Sequence, residues 1–237
     1  MSDALKGKKQ ELERKIRARE FVFGIQDGLI STVGLLSGVA TATQDQRIVV
    51  ITGIAAAITG GISMATGSYL SAKTEKEIFE KELLDQERLA ADEPYLSQEA
   101  LLDSLTADGL DRPSAYRIVK TLSKRQDLFL RTVQEKVLGL GTADISQPLK
   151  AATVMFLSFM AGATIPVAPF LVPLGRIAMP VAWVLSITTL LGVGIFKGVM
   201  TRKPALRSGL EFAAVALGSS IAGWLIGLAI QTLADGG

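Results

Sequence analysis

Residues 20–42 read EFVFGIQDGLISTVGLLSGVATA. From Phe21 to Thr43 the side chains are apolar, small or uncharged, with one formal charge at Asp27. A run of about 20 such residues is long enough to cross a bilayer as a helix. A carboxylate inside a span costs roughly 2.5–3.5 kcal/mol on insertion scales, so it is retained for a pathway, a relay or a buried partner. Two readings of Asp27 compete. Either it lines a path through the membrane, or it lies near one interface and reaches the headgroups.

The rest of the chain has the same character. Ile48–Ala72, Ala151–Gly175 and Ile177–Phe196 carry no charge, and Ser208–Leu233 carries only Glu211. With the first stretch this makes five candidate spans. A soluble helical protein would carry charge along each exposed helix face. The expected fold is therefore an all-α membrane protein of five transmembrane helices, with a small helical cytosolic domain between the second and third.

Lys and Arg set the expected orientation. Met1–Glu20 holds seven, Lys73–Lys150 twelve and Lys197–Arg207 four, leaving only Arg47 and Arg176 on the opposite side. The positive-inside rule then places the N-terminus in the cytosol. The divisions expected are a basic N-terminal segment (1–20), spans one and two (21–72), a cytosolic helical domain (73–150) and spans three to five (151–237). The basic tail is too long for a signal peptide and suits anionic lipid headgroups.

There are no cysteines and no histidines. That removes disulfides, thiolate metal sites and the commonest imidazole ligand. No nucleophile–base pair is present, so an enzyme is not expected, nor is a bound cofactor. A net charge of +2 gives no case for nucleic acid.

Within the spans, Gly34 and Gly38 form a GxxxG pair, and Ser63, Gly67 and Ser71 recur at four-residue spacing. Ser219, Gly223 and Gly227 do the same in the fifth span. Small residues let helix backbones approach closely in lipid. Met64 offers a soft thioether, a ligand for late transition metals or simply packing. Pro166, Pro169 and Pro173 either free backbone carbonyls toward a cavity or end the third span. Trp183 suits an interfacial belt. Glu211 can pair with Arg207. Span two has no Gly or Pro between Ala72 and Pro94, so it continues as one long helix. Ser97 is the expected N-cap of a helix stopped at Asp108-Gly109. Asp111 and Pro113 start another helix, and Gln126–Leu138 forms a third.

These segments together resemble the vacuolar iron transporter family. The likeness rests on REFVFGIQDGLISTVGLLSGV in span one, GGISMATGSYLSAKTE in span two, Glu82-Leu83, Val137–Leu140, and IPVAPF in span three. The resemblance implies a homodimer with its ion path at the subunit interface. It implies export of ferrous iron, often with manganese, from the cytosol in exchange for protons. The membrane would be the plasma membrane in a prokaryote and the vacuolar membrane in a eukaryote. Carried over by position, Asp27 is the path carboxylate and Met64 the path methionine. Where the family often has a further glutamate, this chain has Ala56. The family's metal-gathering glutamates and methionine pair fall here on Gln86, Leu89, Ser97, Ala100, Val133, Gln134 and Val137. Glu75, Glu87 and Glu135 are then the candidate cytosolic metal contacts. Two alternatives stand beside this reading: a protein of the same fold with an altered substrate, and a non-transporting dimeric scaffold or sensor.

Overall fold

A computed structural model describes residues 3–43, 45–137 and 147–235. The described residues form eight α-helices: α1 (Asp3–Thr43), α2 (Gln46–Asp92), α3 (Pro94–Ala107), α4 (Arg112–Leu122), α5 (Gln126–Lys136), α6 (Pro148–Val167), α7 (Ala178–Met200) and α8 (Ala205–Asp235). Five stretches are long and apolar enough to cross a membrane: Arg19–Thr43, Gln46–Leu89, Pro148–Leu171, Gly175–Met200 and Ala205–Leu233. The protein is an all-α, multi-pass membrane protein.

The chain divides into two compact units, Met1–Tyr69 with Leu149–Gly237, and Leu70–Pro148. In the first unit, α1 is the helix the others pack against. A Cβ on Gly24 would lie 2.7 Å from the Cβ of Ser158 in α6, and one on Gly162 would strike the Ile25 carbonyl. Further along α1, a Cβ on Gly38 would come within 3.0 Å of the Gly223 carbonyl in α8, and one on Gly223 would overlap the Gly34 carbonyl. In lipid no hydrophobic force draws helices together, so this backbone-level fit supplies the packing. Ser219 adds a hydrogen bond from Oγ to the Ile30 carbonyl at 2.8 Å.

On the α7 side, Trp183 Nε1 donates to Ser37 Oγ at 2.8 Å. Its indole N–H is therefore satisfied by a neighbouring helix. The α7–α8 pair is equally tight: a Cβ on Gly194 would meet the Ser208 carbonyl at 2.6 Å. Near the connecting turn the Lys197 ammonium sits 4.8 Å from the Phe212 ring centroid. Arg207 pairs with Glu211 at 3.4 Å, on the exposed surface.

Proline ends α6. Pro166 lies in its last turn, and a 3₁₀ turn follows over Ala168–Leu171. The carbonyls released there are not wasted. Gln46 Nε2 donates to Phe170 O at 2.7 Å and to Val172 O at 3.0 Å. Both readings of the proline run are thus realised: it stops the helix, and its backbone shapes a cavity wall.

The second unit is a small three-helix core below the charged half of α2. Leu101, Leu105, Ala115, Val119, Phe129 and Val133 form its buried cluster. Helix α3 starts at Pro94, with Glu93 as the cap residue. Ser97 is accordingly not an N-cap. Proline at the first helical position sets the start four residues earlier, and Ser97 lies buried with its hydroxyl unpartnered among the described residues. Gly109, at φ +98°, makes the stop. Asp111 caps α4 by accepting from the Ser114 N–H at 3.1 Å. Hydrogen bonds from Ser114 hold its carboxyl below the usual range. Leu138, the expected end of α5, lies outside the described residues, as do Gly139–Gly141 and the side chains of the basic tail at 3–18.

The α1–α8 contact makes a direct prediction. Gly223→Val should cost about 1–3 kcal/mol by overpacking, lowering the melting temperature by roughly 3–10 °C. Gly218→Val, where an added Cβ meets nothing within 4 Å, should melt like the parent. Thermal unfolding of both variants in detergent checks this.

Candidate metal site in the membrane

Asp27 and Met64 line the same groove. Helix α1 contributes Asp27, Ser31, Thr32 and Leu35. Helix α2 contributes Ala56, Thr59, Gly60, Ser63 and Met64, and Phe159 of α6 forms the back wall. The volume is about 310 Å³. Four-residue spacing explains the α1 edge, since positions 27, 31 and 35 stack on one helix face. The missing side chains of Gly60 and Gly61 admit α6: a Cβ at Gly60 would touch the Phe159 ring, and one at Gly61 would lie 3.3 Å from the Met160 sulfur.

Each polar group has a definable state. Ser31 Oγ donates to the Asp27 carbonyl at 2.6 Å, and Thr59 Oγ1 to the Ala55 carbonyl at 2.8 Å. Their protons are thereby used within their own helices, leaving oxygen lone pairs as acceptors. Asp27 is half-buried and lines the groove. Met64 packs on the Ala57–Phe159–Ala163 cluster with Met160 beside it. The packing reading and the ligand reading of Met64 are compatible, because a thioether can hold its place by apolar contact and still offer a lone pair.

At this end the groove lining reaches Leu35 on α1 and Ala56 on α2. Leu36, Val49, Val167 and Phe170 belong to a single buried apolar cluster with Ala178 and Ala182. Gly53 abuts it, with a Cβ there only 3.0 Å from Leu36 Cδ2 and Val167 Cγ2.

The candidate contacts in the second unit are not gathered. Glu75, Glu87 and Glu135 are all exposed. Glu75 and Glu87 are twelve residues apart on α2, about 18 Å along the axis. Glu135 is paired with Arg131 at 3.4 Å. Among the described residues no group of three or more His, Cys, Asp or Glu is placed to hold a metal. Of the positions that the resemblance implies for metal collection, Ser97 and Val133 are buried in this unit. An apolar core has taken their place. Ala100 and Leu89 are half-buried and Val137 exposed, while the side chains of Gln86 and Gln134 lie outside the described residues.

Sequence reasoning missed Ser31, Thr32, Leu35, Thr59 and Phe159 as groove residues. The i+4 step from Asp27 would have found Ser31 and Leu35. Nothing local would have found Phe159, which reaches the groove only because glycines open α2.

Five apolar spans, with a carboxylate and a thioether lining one groove, define a polytopic membrane protein of the transporter class. Comparison with known proteins agrees: the model of the VIT family matches residues 18–228, and the chain belongs to that family. It is 27% identical over 215 residues to vacuolar iron transporter 1 of Eucalyptus grandis, covering 90% of this chain and 86% of that one. Vacuolar iron transporter 1 of Arabidopsis thaliana is 27% identical over 214 residues, covering 90% and 86%. The vacuolar iron transporter of Plasmodium falciparum is 23% identical over 227 residues, covering 92% and 83%. These relatives are named as transporters, not enzymes.

Ala56 lines the groove beside Asp27 and Met64, so its substitution tests the site. Ala56→Glu should add a second carboxylate and tighten Mn²⁺ binding about tenfold, a gain of about 1.4 kcal/mol. Titration calorimetry on the purified protein measures it.

Proposed function

We propose that this protein exports divalent iron or manganese from the cytosol, by exchange for protons, along a path completed by a second copy of the chain. The observation that carries the reading is the shared groove of Asp27 and Met64 on helices α1 and α2. The relatives' names point to iron; manganese follows only from the family resemblance. Hard carboxylate oxygen with soft sulfur suits Fe²⁺ or Mn²⁺ better than Ca²⁺.

One chain gives too few ligands. Such ions take about six donors, and one groove offers one carboxylate, one thioether and a few hydroxyl oxygens. A second groove facing the first doubles the set and brings two negative charges to a dication. When the metal leaves, two facing carboxylates repel, and proton uptake relieves that repulsion. This couples metal release to proton entry. The Leu36–Val49–Val167–Phe170 cluster closes the far end of the groove, so passage requires α1 and α2 to shift against α6. The N-terminus lies in the cytosol under this reading, following the Lys and Arg distribution. The membrane is the vacuolar one for a eukaryotic source and the plasma membrane for a prokaryotic one.

Ala56 favours a second reading, a transporter of the same fold with an altered substrate. An apolar methyl where a carboxylate would complete the site lowers the charge available to any dication.

Uptake of Fe²⁺ and Mn²⁺ into proteoliposomes tests the proposal. Asp27→Asn should reduce flux at least about tenfold, equivalent to about 1.4 kcal/mol or more of lost stabilisation. Wild-type flux should rise with an opposing proton gradient. Flux of both metals unchanged by Asp27→Asn would overturn the assignment. Flux of neither metal, with another divalent cation carried, would favour the altered-substrate reading.

A further inference from the structure

A second cavity lies at the end of the first unit where α1 turns into α2. It is lined by Thr41, Gln46, Phe170, Arg176, Met179 and Gln231, among others, and has a volume of about 610 Å³. Its depth is fixed by the span boundaries. Thr41 is two residues from the end of α1, Gln46 opens α2, and Met179 is the second residue of α7. Gln231 lies two residues before the end of the fifth span at Leu233. The cavity therefore sits at the level of the lipid headgroups, not of the acyl chains.

Its chemistry differs from that of the metal groove. The lining holds one cation, Arg176, and no acidic residue. Arg176 stands in the short turn Gly175–Ile177, which Gly175 permits by adopting φ +57°. No ion pair holds Arg176 among the described residues. Gln46 donates both amide hydrogens to the Phe170 and Val172 carbonyls, and Thr41 donates to the Ser37 carbonyl at 2.7 Å. The donors left for a ligand are the Arg176 guanidinium and the Gln231 amide. Phe170 and Met179 supply an apolar wall beside them. A fixed positive charge repels a metal ion. A guanidinium fork instead matches two oxygens of a phosphate.

We propose that this cavity binds a phosphate group, with Arg176 as its main anchor, Gln231 as a second donor, and Phe170 and Met179 covering the ester's carbon side. Two sources share that chemistry: the phosphodiester of an anionic lipid and free aqueous phosphate.

The full-length protein in detergent distinguishes them. Short-chain phosphatidylglycerol and inorganic phosphate are added in separate arms, and melting temperature and native mass are recorded. Phosphatidylglycerol should raise the wild-type melting temperature by several degrees and appear as a bound adduct. Arg176→Gln should weaken that binding at least tenfold, and Arg176→Lys by only a few fold. Arg47→Gln, at the same end but outside the lining, should bind like the wild type. Saturable, Arg176-dependent stabilisation by inorganic phosphate alone would assign the site to the free ion. Equal phosphatidylglycerol binding by wild type and Arg176→Gln would overturn the proposal, as would no stabilisation of the wild type by either source. Arg176 is exposed at the surface, so its variants should fold, and an unchanged melting temperature without ligand verifies it.

Discussion

The approach of α1 to α6 on one flank and to α8 on the other, backbone against backbone, is the constraint on which the first unit depends. At Gly162 and Gly223 an added Cβ would strike the carbonyls of Ile25 and Gly34. Contact at that distance tolerates little sliding or rotation, because every shift drives main-chain atoms together. Helix α1 is thereby fixed about its axis, and that orientation decides which of its residues face α2. Asp27, Ser31 and Leu35 do, and Leu29 and Val33 are driven into the bundle, where they are fully buried. The polar face of the groove is a by-product of where the glycines are.

Helix α2 is held differently. Its Gly60 and Gly61 accept aromatic and thioether side chains from α6, which can adjust, in place of backbone, which cannot. Its other face is apolar and open: Ile51, Ile54, Ile58 and Ile62 are all exposed. At Gly67 the small-residue face is open, since a Cβ there would find no atom within 4 Å among the described residues. The groove thus has one rigid wall and one wall held by side chains. This division places the adjustable contacts of the groove on the α2 side.

Legibility from sequence followed the range of the interaction. The spans could be read because hydrophobic length is a property of consecutive residues, and the small-residue faces because helical periodicity is local. Ser219, Gly223 and Gly227 do meet α1 as a stripe. Asp27 was conspicuous because a charge in an apolar run is rare. What could not be read depended on contacts far apart in sequence. Trp183 finding Ser37 is one case. Phe159 reaching the groove through a gap at Gly60 is another. Ser97 had the chemistry of a cap, but Pro94 starts its helix earlier and turns Ser97 inward. The Arg176 cavity was invisible for the same reason: its residues come from five separate spans, and none is unusual alone.

Ala56 places the heaviest demand on the proposed reading. In one chain the groove offers a single formal negative charge, so a dication there would remain uncompensated in a medium that screens poorly. Under the proposed reading a second copy would supply the missing charge, and a pair of Asp27 carboxylates would then balance the ion. Additional carboxylates would overcompensate and hold the metal more tightly. With two, binding is weaker and release easier, and the thioethers and hydroxyl oxygens contribute coordination without charge. The substitution of alanine for an acid is therefore consistent with transport, at the cost of affinity. On the proposed reading it would tie function to a dimer more strictly than a richer ligand set, because one chain alone could not neutralise a dication.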